Sequence, residues 1–118
     1  MSSLNWFEIP VSDMDRAVGF YEGLLGVELT RMDFAGVPHA VFPSAGVGGA
    51  LVLDPDNRPS ATGSLIYLDA GAGLDASVAR VPELGGEPLT PIVDLGEQGR
   101  MAVLLDTEGN RVAVHSAA

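Results

Sequence analysis

Glu8 and His115 are the side chains best placed to move a proton in this chain, and both sit on segments that alternate with the period of a β-strand. In the run Trp6-Phe7-Glu8-Ile9-Pro10-Val11, Phe7, Ile9 and Val11 fall on one face and Trp6, Glu8 and Pro10 on the other. Near the far end, Val112 and Val114 share one face while Arg111, Ala113 and His115 share the other. A carboxylate or an imidazole held near an acidic C–H can act as a general base. An open sheet face shown to water would account for Glu8, Arg111 and His115, but not for Trp6. A large aromatic beside a carboxylate points instead to a concave surface with an apolar floor and a few polar groups, as in small-molecule pockets. Trp6, Glu8 and His115 are therefore expected to line one pocket.

Further candidates lie on strands that should line or edge the same cup. Tyr67, Arg100 and Met101 offer a hydroxyl, a cation and a soft thioether, which suit an aromatic or carboxylate-bearing ligand. His39, beside Pro38 at the start of a strand, reads either as an exposed turn residue or as a ligand-binding donor and proton carrier. Gly48-Gly49 and Gly85-Gly86 read as turn and cap glycines, without the strand and helix context of a phosphate-binding loop. The chain contains no cysteine, so thiolate chemistry is excluded and catalysis would use oxygen or nitrogen groups.

The elements that must position these residues repeat. A strand from Asn5 to Val11, a helix over 13–25 and strands at about 28–34, 38–43 and 49–53 make a first β-α-β-β-β series. A second series runs from Ser64 to Ser116, with a helix carrying Leu74, Val78 and Val81 and strands at about 87–93, 100–105 and 110–115. Leu25-Gly26-Val27-Glu28-Leu29-Thr30 is echoed by Leu84-Gly85-Gly86-Glu87-Pro88-Leu89-Thr90. A pseudo-symmetric domain places its likeliest site where the halves meet. Ser12 is the expected N-cap of the first helix, whose buried stripe is Met14, Ala17, Val18, Tyr21, Leu24 and Leu25, and Gly26 its left-handed C-terminal cap. Pro82 should shorten the second helix, Asp106 to Asn110 should form a hairpin turn, and the polar stretch 55–63 reads as a linker.

The expected organisation is one domain over 1–118, with module one at about 4–54 and module two at about 64–116. A chain of 118 residues, 47% hydrophobic, can bury one core, whereas either half alone is too small. Six basic residues against sixteen acidic ones give a net charge of −10, which repels nucleic acid and anionic lipid surfaces. No basic leader and no membrane-length apolar run is present, and with the absence of cysteine this reads as a cytoplasmic protein with neither nucleic-acid nor membrane partners.

The opening Trp6-Phe-Glu-Ile-Pro-Val-Ser-Asp-Met-Asp-Arg-Ala-Val-Gly-Phe-Tyr21 and the closing Leu105-Asp-Thr-Glu-Gly-Asn-Arg-Val-Ala-Val-His-Ser116 resemble the vicinal oxygen chelate superfamily, which groups glyoxalase I, extradiol dioxygenases and bleomycin-resistance proteins. The resemblance implies an α+β fold: two tandem βαβββ modules forming a curved mixed-sheet cup with helices on its outer face. Metal-dependent members hold a divalent ion at that cup with His or Glu. The corresponding positions here are Trp6, Ala50 or Val52, Leu65 or Ile66, and Ala113, none of which can ligate a metal. No cofactor is expected on this basis. Glu8 and His115 lie two residues beyond those positions, leaving open an acid/base pair, two donors for a displaced metal, or polar contacts in the cup. The resemblance thus implies a binder of a small organic molecule, with a glyoxalase-type lyase or isomerase as the alternative, and a homodimer, as in related proteins.

Overall fold

The structure, a computed structural model, describes residues 4–117; the ends of the expected domain, residues 1–3 and 118, lie outside the described residues. Each half folds as a sheet with a helix on one face. In the first, β1 (Trp6–Pro10), α1 (Met14–Leu25), β2 (Thr30–Phe34), β3 (Val37–Val41) and β4 (Gly48–Val52) form a sheet of order β1-β4-β3-β2. β1 pairs parallel with β4 and the remaining pairs are antiparallel. The second contains β5 (Tyr67–Asp69), α2 (Leu74–Arg80), β6 (Glu87–Pro88), β7 (Val93–Asp94), β8 (Arg100–Leu105) and β9 (Arg111–Ser116), ordered β5-β9-β8-β6 with β7 also on β8.

Local chemistry explains most boundaries and three departures from expectation. The N-cap of α1 is Asp13, not Ser12: the Asp13 carboxylate accepts the backbone N–H of Arg16 at 3.1 Å. Gly26 closes the helix at φ 66°, a conformation a Cβ would disfavour. Gly48 and Gly49 belong to β4 rather than to a turn, because each sits under an aromatic ring of its β1 partner, Trp6 over Gly48 and Phe7 over Gly49. The strand expected over 87–93 is broken into β6 and β7, since Pro88 and Pro91 cannot donate to a ladder. As expected, α2 stops at Arg80, just before Pro82.

The core is continuous across both halves. Ile9, Val11, Ala17, Phe20, Tyr21, Leu24 and Leu51 from the first half meet Leu68, Leu74, Val81, Leu104, Val112 and Val114 from the second. α1 lies against β4 and α2, and α2 against β8 and β9. Gly23 makes room for Leu84 in the turn after α2, because a Cβ there would run into the Leu84 side chain. Among the described residues no helix is long and apolar enough to cross a membrane.

The Asp106–Asn110 turn joins the halves. Its Glu108 accepts the backbone N–H groups of Ser12 and Asp13, both at 2.8 Å, and pairs with Arg16 at 2.7 Å. The buried Tyr21 hydroxyl donates to Asp106 at 2.6 Å, and Asn110 Nδ2 donates to the Pro10 carbonyl at 2.7 Å. Desolvation alone would raise the Glu108 pKa, but the Arg16 guanidinium, the two backbone N–H groups and the Thr107 hydroxyl outweigh it and lower it from 4.5 to about 2. Burial, and then the neighbouring Asp106 charge, push the Tyr21 hydroxyl well above its ordinary value. Glu108→Gln is therefore expected to lower unfolding free energy near neutral pH by about 2 kcal/mol, less than the full shift because Arg16 is half exposed. The folded value lies below the unfolded one, so this contribution is complete above 4.5 and drains away as pH falls towards 2. Denaturant unfolding should show the wild-type advantage closing over that window; an advantage constant down to about pH 3 would contradict the arrangement.

Candidate functional site

Strand register decides which side chains share the open face of each sheet. Trp6 and Glu8 stand opposite Gly48 and Ala50, and His39 stands opposite both Val52 and Met32, so Trp6, Glu8, Met32, Phe34 and His39 share the face turned away from α1. In the second sheet Tyr67 opposes Ala113 and Asp69 opposes His115, which in turn opposes Met101. Tyr67, Met101 and His115 therefore share the face turned away from α2. Trp6, Met32 and Phe34 on the first face and Tyr67 on the second are each more than 40% exposed.

On the first face the Trp6 indole N–H donates to Glu8 Oε2 at 3.3 Å, and His39 Nε2 lies 3.7 Å from the same oxygen. His39 is buried, not the exposed turn residue that its neighbour Pro38 suggests. Its Nδ1 is 2.8 Å from the Val37 carbonyl, which can only accept, so Nδ1 carries the proton of the neutral ring and the Nε2 lone pair faces Glu8. Phe34 packs edge-on against the imidazole, with ring centroids 4.7 Å apart. Two acceptors facing each other across one gap form a place where one added proton is shared, or where a ligand donor can insert.

His115 is engaged elsewhere. Its Nε2 donates to the Gln98 carbonyl, fixing the opposite tautomer, and its ring meets Tyr67 with centroids 6.3 Å apart. Glu8 thus finds its histidine in His39 rather than in His115, because β4 brings β3 close to β1 whereas β9 belongs to the other sheet. Arg100 is also displaced from the expected cup. It opposes Ser116 on the helix side of β8 and pairs with Asp75 of α2 at 2.9 Å, since strand alternation forbids it the face of Met101.

Besides an opening of about 630 Å³ bordered by Val11, Leu53, Asp54, Arg58 and Glu108, two openings lie between the halves. The larger, about 840 Å³, is a groove lined by Leu4, Phe7, Phe42 and loop 43–47 on one side and by residues 64–69, Tyr67 included, on the other. The smaller, about 210 Å³, is a polar cleft with Glu8 and Pro10 on one wall, Arg111 on another and the connecting segment over it. Ser64 and Ile66 border both. These loop contributions were not legible in the chain, where 55–63 read as a bland linker.

The fold and this seam between paired modules have counterparts. The family model for the glyoxalase/bleomycin resistance protein/dioxygenase superfamily matches residues 3–114. The chain belongs to that superfamily. CFP32 of Mycobacterium bovis, named for a glyoxylase, is 28% identical over 123 residues, covering 96% of this chain and 45% of its own length. The chain thus spans under half of that relative. A glyoxalase/bleomycin resistance protein of Albidiferax ferrireducens superposes with TM-score 0.78 at 18% identity, over 99% of this chain and all of that one. TnmS3 of Streptomyces sp. CB03234, titled an antibiotic binding protein, has TM-score 0.65 and 26% identity, over 100% of this chain and 98% of its own.

Metal-dependent members of this superfamily invite a test of the donor set. Of the positions that would carry ligands, Trp6 is exposed, Ala50, Val52 and Ala113 are buried, and Leu65 and Ile66 are half buried. None of these side chains has a donor for a divalent ion. Among the described residues no group of three or more His, Cys, Asp or Glu is gathered so as to hold one. The residues present do not fit the family's metal.

Imidazole nitrogen spectra should report the two rings as opposite neutral tautomers, His39 with its proton on Nδ1 and His115 on Nε2. A common tautomer would break the geometry described for Glu8.

Proposed function

We propose that this superfamily member binds a small organic ligand in the groove between its modules and does so without a divalent metal. The observation that carries the reading is an apolar inter-module groove of about 840 Å³, lined in part by Leu65 and Ile66, in a chain whose family ligand positions carry no metal donor. That volume lies in the range of drug-sized pockets, and Phe7, Phe42, Ile66 and Tyr67 give it aromatic and aliphatic walls. Likeness to an antibiotic binding protein supports the same class. Trp6 lies over Gly48, the neighbour of the groove residue Val47, and is the one tryptophan of the chain, so its emission is a natural reporter.

A compound library screened by Trp6 fluorescence and thermal shift is expected to yield ligands whose affinity falls about tenfold or more in Tyr67→Ala and is unchanged by chelators. Zn, Ni, Mn or Fe alone should barely move the melting temperature. Stoichiometric metal held by three or more side chains, or hits indifferent to Tyr67, would refute the reading.

The Glu8–His39 approach favours a second reading, a glyoxalase-type lyase or isomerase in which this pair handles the proton. Glu8→Gln separates the two: a binder keeps its affinity within about tenfold, whereas an acid/base enzyme loses about 10² or more in turnover.

A homodimer is part of the proposal, because Trp6, Met32, Phe34 and Tyr67 are exposed apolar side chains that a second copy of the chain could cover. Light scattering at micromolar concentration should give twice the chain mass of 12.2 kDa; a monomer mass would reject it.

A further inference from the structure

We infer that the smaller cleft, walled by β1, β9 and the connecting segment, recognises an anionic group, a carboxylate or a phosphate, through Arg58 and Arg111. The chain has six cationic side chains, all arginines. Arg16, Arg31 and Arg100 are neutralised by Glu108, Asp15 and Asp75 at 2.7, 2.7 and 2.9 Å. Arg80 serves the end of α1, donating to the carbonyls of Gly23 and Leu24 at 2.9 and 3.1 Å. The two that remain, Arg58 and Arg111, line the same cleft of about 210 Å³, one from the connecting segment and one from β9. Among the described residues neither has a carboxylate partner, and Arg111 makes a single bond, at 3.3 Å, to the Gly63 carbonyl.

With sixteen acidic residues available, Arg58 and Arg111 are nevertheless left without a carboxylate partner on the lining of one cleft, where an anion can meet both. Their planar forks match the two oxygens of a carboxylate or phosphate. Ser60, Thr62 and Ser64 add hydroxyls to the lining. Among the described residues Glu8 is the one carboxylate on the walls, held by the Trp6 indole N–H. Its charge opposes a bare anion, so it sets an upper limit on affinity and favours an acid that also brings a hydrogen-bond donor. The site deepens the small-ligand reading and rests on it for one step: because Ser64 and Ile66 border both openings, the ligand class becomes an organic acid with its apolar body in the groove and its anion in the cleft.

Inorganic phosphate and acetate test the cleft without the groove, since neither has an apolar body. Nitrogen-detected spectra of the six arginine Nε–H groups, recorded at constant ionic strength in chloride, should show saturable shifts confined to Arg58 and Arg111. The stronger response, to phosphate or to acetate, identifies which anion the cleft is built for. Arg111→Gln and Arg58→Gln should each weaken that response about tenfold or more, while Glu8→Gln should strengthen it several-fold and Arg31→Gln leave it unchanged. Equal, unsaturable shifts at all six arginines, or unaltered affinity in both arginine variants, would overturn the site. The wild-type spectra decide even if a variant fails to fold. Anion binding at Arg58 and Arg111 with no apolar ligand in the groove would uphold the cleft and refute the groove; a groove ligand with silent arginines would do the reverse.

Discussion

Everything in this domain depends on one helix being held at both ends by the other half of the chain. The first backbone N–H groups and last carbonyls of any helix lack intrahelical partners. Here Glu108 receives the N–H groups of Ser12 and Asp13 at the start of α1, and Arg80 donates to Gly23 and Leu24 at its end. A carboxylate at the N-terminus and a guanidinium at the C-terminus both match the helix dipole. Midway, Tyr21 reaches Asp106, whose carboxylate accepts from Tyr21, Asn110 Nδ2 and the backbone of Glu108 and Asn110. Because α1 also carries the core face of the first sheet, these contacts fix how one module meets the other. Asn110 extends the same tie to β1 through Pro10.

The seam left by this docking is where chemistry is available. β1 and β5 are edge strands of separate sheets, and segment 64–66 lies between the apolar groove and the arginine cleft. Side chains near the seam are kept from filling it by what lies behind them. Phe7 is drawn down over Gly49 towards Phe42, 5.6 Å between ring centroids, while Trp6 lies over Gly48 on the opposite face. The pair of glycines therefore sends two adjacent aromatics in opposite directions, one to the core and one to the open face.

Local signals made the fold legible and left much of the site unread. Period-two alternation was enough to turn Ile9, Val11, Val112 and Val114 inward, and the three-and-four spacing of Met14, Ala17, Val18, Tyr21 and Leu24 was enough for α1. Alternation also carried information that the expected site did not use, since Arg100 and Met101 are adjacent and cannot face one cup. His39 was a harder case. Its local neighbour Pro38 suggests a turn, and its burial follows from Glu8 and Phe34, which reach it through strand order rather than sequence proximity. The cleft depends on the folded path of the connecting segment, whose composition signals only turns.

Replacing metal ligands with Trp6 and Ala113 changes how a seam of this kind can hold a polar ligand. A divalent ion concentrates charge at one point, whereas here the polar groups are spread along the junction: Glu8 with His39 on one sheet, and Arg58 and Arg111 on the lining of the cleft. The net charge of −10 does not contradict an arginine pair at the seam. At physiological ionic strength surface charges are screened beyond about 8 Å. On the proposed reading, the acidic surface would slow the approach of an anion, while the two guanidinium groups and Glu8, which line the cleft, would set how tightly it is held. Rate and affinity would then be governed by different parts of the same charge distribution.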